Sequence, residues 1–89
     1  MPYAAIQDLL EDLATHRLKF SAEVVRDLIR QTESAIIGQL GTVPDRSRKA
    51  LVRASSASGT AVCINAIDEA IITAERVMSL TLKSKSERT

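Results

Sequence analysis

Residues 60–82 constrain this chain more than any other stretch, because they carry its longest run of helical periodicity. At 3.6 residues per turn, Cys63, Ile64, Ala66, Ile67, Ala70, Ile71, Ala74, Val77, Met78 and Leu82 fall within one broad arc. Asn65, Asp68, Glu69, Glu75 and Arg76 take the other side. An arc this wide belongs to a helix facing a bundle core, since a two-strand coiled-coil seam is narrower. Within it Ile64, Ile67, Ile71, Ala74 and Met78 alternate at spacings of three and four, as a and d positions do. One edge, Ala66, Ala70 and Ala74, is small and lets a neighbouring helix come close. Val62, Ile72 and Leu80 lie on or beside the polar side, where they are expected to be exposed.

The rest of the chain supplies shorter helices to cover that arc. A helix over residues 3–15 opens after Pro2 and carries Tyr3, Ile6, Leu9, Leu10 and Leu13 as its stripe. His16, Arg17 and Lys19 stand where the negative end of its dipole lies. Ser21 is a natural N-cap for a second helix over residues 22–40, with Phe20 placed to pack on Val25 as a hydrophobic staple. Its stripe is Val24, Val25, Leu28, Thr32, Ala35 and Ile36, with Ile29 and Leu40 at the edge, and Gly41 is a natural stop. Gly38 either weakens the last turn or admits a close neighbour. Thr42, Val43, Pro44 and Asp45 have the form of a capping box with Pro in the first turn, which predicts a third helix over residues 43–58. Ala50, Leu51, Ala54 and Ala57 are its main apolar contacts.

On one continuous wheel, the Ala50/Ala54/Ala57 stripe points roughly 130° away from the centre of the 63–78 arc. The sequence therefore predicts a break at Ser58, Gly59 and Thr60, with Gly59 closing one helix and Thr60 capping the next. The alternative is a single long helix serving partners on two sides, which requires an oligomer. Residues 83–89 are polar and read as a flexible tail after a single domain at residues 1–82. The expected fold is thus all-α, a small antiparallel bundle of four helices.

Composition narrows the function classes. Apolar residues make up 45% of the chain, and its two aromatic residues are Tyr3 and Phe20, so the core is aliphatic. A single cysteine permits no intramolecular disulfide. No stretch is apolar for the ~18 residues a membrane span needs, and the first residues lack the pattern of a signal peptide; a cytoplasmic location is expected by elimination.

Candidate chemistry is sparse. His16 follows Asp12 by one helical turn, but no nucleophile or second base accompanies the pair. Cys63 lies on the apolar arc, where a cysteine acts as a small hydrophobe. One Cys and one distant His make no zinc site. Glu11/Asp12 and Asp68/Glu69 are adjacent in sequence and diverge on a helix, as solvated faces do. No catalytic, cofactor-binding or metal-binding residue is expected, and the chain reads as no enzyme.

What remains is surface. Residues 1–45 hold four Lys/Arg against seven Asp/Glu, whereas residues 46–89 hold eight against four. An acidic half of one chain can therefore face a basic half of another. Arg46, Lys49 and Arg53 share one strip of the third helix with Arg48 beside it, and no acid occurs between Asp45 and Asp68. Ala54, Ala57, Ser58 and Ala61 form a small-residue face suited to close helix contact. The leading expectation is a non-enzymatic protein–protein interaction module (a small regulator, adaptor or inhibitor) working as a homodimer or with a protein partner. Ile64, Ile67, Ile71, Ala74 and Met78 are its expected contact residues. The alternative is a nucleic-acid-binding regulator using Arg46, Arg48, Lys49 and Arg53 on phosphates.

Overall fold

The computed structural model of this chain describes residues 3–16 and 21–87. Four helices follow one another there: α1 (Tyr3–His16), α2 (Ala22–Leu40), α3 (Asp45–Ser56) and α4 (Thr60–Glu87). The described residues contain no strand, so the chain is an all-α bundle.

Local chemistry explains most of the boundaries. Ser21 holds an extended backbone, and its hydroxyl accepts the Val24 N–H at 3.2 Å, which satisfies one donor of the first turn of α2. Phe20, the expected staple partner, lies outside the described residues. Gly41 ends α2 in the left-handed region at φ 75°, its N–H donating to the Ile37 carbonyl at 2.8 Å. A Cβ added to Gly41 meets nothing within 4 Å, so its strain is purely conformational. Gly41→Ala is accordingly expected to lower stability by about 1–2 kcal/mol. Gly38 also has open space around it but sits inside the helix, which removes the expectation of a close neighbour there. Gly38→Ala should raise stability by about 0.5–1 kcal/mol. Urea denaturation of the two variants checks the opposite signs; two shifts in one direction would defeat the reading.

The start of α3 corrects the sequence reading. No capping box forms: the helix begins at Asp45, Pro44 occupies the cap position, and no side chain caps it. A residue before proline is disfavoured in the helical region, which keeps Val43 out of the helix. Val43 turns inward instead and is only 9% exposed.

The break between the third and fourth helices is real, but it is made differently from the expected Gly/Thr pair. Ala57 turns extended at φ −68° and ψ 137°, with its N–H on the Ala54 carbonyl. Gly59 takes no positive φ, and Thr60 is already the first residue of α4. At the other end α4 runs on to Glu87, past the expected end at residue 82 and into the stretch expected to be a tail. Residues 83–87 contain no Gly or Pro to stop the helix.

Packing centres on α4, which touches the other three helices, while α1 and α3 do not touch. α2 likewise touches the other three, so α1 and α3 stand apart on either side of the α2/α4 pair. Ile6, Leu28, Ile36, Ile67 and Ile71 are the largest apolar side chains fully buried in the shared core. Between α3 and α4 the contact is made of small residues: Ala50 and Ala70 are both fully buried, with Leu51 beside them. The Ser47 hydroxyl donates to the Ala70 carbonyl at 2.9 Å. So short a side chain bridges two helices only where their backbones lie close. Thr32 is buried too, and its hydroxyl donates to the Leu28 carbonyl at 2.7 Å.

Candidate functional site

The face expected to meet a partner is largely used up inside the chain. Ile67, Ile71 and Ala74 are 0% exposed against this chain's own helices, and Ile64 and Met78 are half-buried. The wheel located the stripe correctly but could not say which helices would cover it. The chain's own helices cover it.

Cys63 also lies in the core, and burial raises its thiol above the ordinary value, which suppresses the reactive thiolate at neutral pH. Burial likewise raises the Tyr3 phenol, helped by the negative charge of Glu75. Of the Asp12/His16 pair, Asp12 is exposed on α1, and the side chain of His16 lies outside the described residues. Asp68 and Glu69 diverge as expected. Glu69 turns toward α3, whereas Asp68 borders a shallow depression shared with Gln7 and Glu11 of α1. No group of three or more His, Cys, Asp or Glu able to hold a metal occurs among the described residues. No helix among them is long and apolar enough to cross a membrane.

The basic strip is the part of the expected site that the structure leaves open. Arg46, Arg48, Lys49 and Arg53 are all exposed on the outer side of α3. Arg53 pairs with Glu69 of α4 at 2.5 Å, an acid remote in sequence that supplies the neutralisation missing nearby. Both partners are more than half exposed, so the pair contributes only about 0–1 kcal/mol. The side chains of Arg46, Arg48 and Lys49 make no ion pair or hydrogen bond among the described residues. With Val52, Arg53 and Glu69 they border an open depression of about 620 Å³.

Val52 is the residue the sequence reading missed. It is 59% exposed and, like Arg48, borders both that depression and a second of about 260 Å³, which Ile29, Glu33, Val43, Leu51 and Ser55 also line. The signal was present: on the wheel Val52 stands far from the Ala50/Ala54 stripe, a large apolar residue among cations. The small-residue face is divided, with Ala54 buried, Ala57 half-buried, and Ser58 and Ala61 exposed.

Comparison with protein-family models, curated proteins and solved structures finds no match to this chain.

Proposed function

We propose that this chain is a non-enzymatic protein–protein interaction module, a small regulator, adaptor or inhibitor that acts through an outward helical surface and associates with itself or a protein partner. The observation that carries this reading is the outer side of α3, where Arg46, Arg48 and Lys49, which form no ion pair among the described residues, border the exposed Val52. An apolar centre within a charged rim is the usual layout of a protein contact. The second reading, a nucleic-acid-binding regulator, draws on the same three cations plus Arg53. No aromatic side chain offers a base a stacking surface there.

Affinity capture with the native chain and with Arg48→Glu/Val52→Ser tests the proposal. A protein retained by the native chain and lost with the folded variant is the expected result. Retention of duplex DNA instead, with affinity falling steeply as salt rises, would favour the second reading.

A further inference from the structure

Charge in this bundle is sorted by helix. α1 carries Asp8, Glu11 and Asp12 and no Lys or Arg. α3 carries Arg46, Arg48, Lys49 and Arg53 against Asp45 alone. α2 and α4 each mix both signs; Arg30 pairs with Asp27 within α2, and Glu69 of α4 pairs with Arg53 of α3. The acidic and basic helices do not touch, and both put their charges outward: Asp8 and Glu11 are exposed on α1, as are Arg46, Arg48 and Lys49 on α3. Each of these two helices also exposes one large aliphatic side chain, Leu9 at 38% on α1 and Val52 at 59% on α3.

Resting on the interaction-module reading, we infer that the occupant of the α3 face is α1 of a second copy of this chain, docked head to tail. Carboxylates of Asp8 and Glu11 on one molecule meet Arg46, Arg48 and Lys49 of the next. Because α1 and α3 stand apart on either side of the α2/α4 pair, one molecule cannot present both faces to the same neighbour in a closed two-fold pair. The contact is heterologous and generates open strings. α1 has 14 residues, about 21 Å of helix, so a contact one helix long falls short of the roughly 1,600 Å² of a stable complex. Association is therefore weak, driven by concentration and sensitive to salt.

Sedimentation velocity on the full chain, from micromolar to millimolar concentration, tests this at low and high salt. The expected result is a sedimentation coefficient that rises with concentration at about 0.05 M salt and an association at least about tenfold weaker near 0.5 M. Two variants, D8K/E11K and R46E/R48E/K49E, should each stay monomeric alone, and an equimolar mixture of the two should associate again. D8N/E11Q and R46Q/R48Q/K49Q give the same single-variant test should a reversed chain fail to fold. A native chain that remains monomeric at millimolar concentration and low salt overturns the inference, as does association that survives either single variant. If the monomeric native chain still captures another protein through α3, only this inference falls and the module reading stands. If α3 captures no protein and the chain does not self-associate, both fall.

Discussion

Ile71→Ala is expected to lower the unfolding free energy by about 2–5 kcal/mol. Ile71 is 0% exposed and lies in the main core, on a helix that the other three all touch. Removing its branched end leaves a cavity that three helices cannot collapse onto together without disturbing their mutual packing. A chain of 89 residues has a modest core, and small domains are stable by only ~5–15 kcal/mol. The variant should therefore show a clearly lower urea midpoint by far-ultraviolet circular dichroism and a large unfolded fraction well below the native melting temperature. The neighbouring Ile72 supplies the control. It is 39% exposed, and Ile72→Ala should cost much less. Equal losses for the two variants would mean that α4 is not seated by the face described.

The same pair shows why the bundle was readable from sequence and its contact surface was not. Periodicity separates Ile71 from Ile72 without any coordinates, since adjacent residues diverge by about 100° on a helix. It likewise placed Leu28, Thr32, Ala35 and Ile36 inward, and all four are buried. What a wheel cannot carry is the identity of the covering helix. Ile67 and Ala74 look equally suited to a second copy or to the chain's own helices, and only the tertiary arrangement assigns them to the latter. The N-terminal end of α3 was misread for a local reason. The capping-box pattern at Thr42 was weighed without the restriction that Pro44 places on Val43.

The candidate site was half legible. The four cations of α3 form a visible run, and their exposure follows from the opposite Ala50/Ala54 stripe. Glu69 was not visible as the partner of Arg53, because nothing in a sequence states which acid on a later helix will lie beside a given arginine. The sign segregation between α1 and α3 was present only as an imbalance between chain halves. It became a directional property once the fold set those helices apart on either side of the α2/α4 pair.

Ala70→Leu is the second large effect expected, and it tests the close approach of α3 to α4. Ala70 is fully buried against Ala50, also fully buried, with Leu51 at its side. Its carbonyl receives the Ser47 hydroxyl at 2.9 Å. A leucine there adds three carbons where two helices already meet through methyl groups. Relief requires the helices to separate, which stretches or breaks the Ser47 bond. Overpacking costs about 1–3 kcal/mol, and leaving the buried serine hydroxyl without its acceptor adds about 1–3 kcal/mol more. The combined loss should approach that of Ile71→Ala, although the substitution adds apolar bulk to a helix that otherwise tolerates it. Ala61→Leu on the same helix, at an exposed position, should be close to neutral. Urea denaturation of both variants, with hydrogen exchange along α3, separates the cases: protection lost across residues 47–54 in Ala70→Leu alone is the expected pattern. A leucine accommodated at residue 70 without loss of stability or protection would show that the two helices stand farther apart than the Ser47 contact requires.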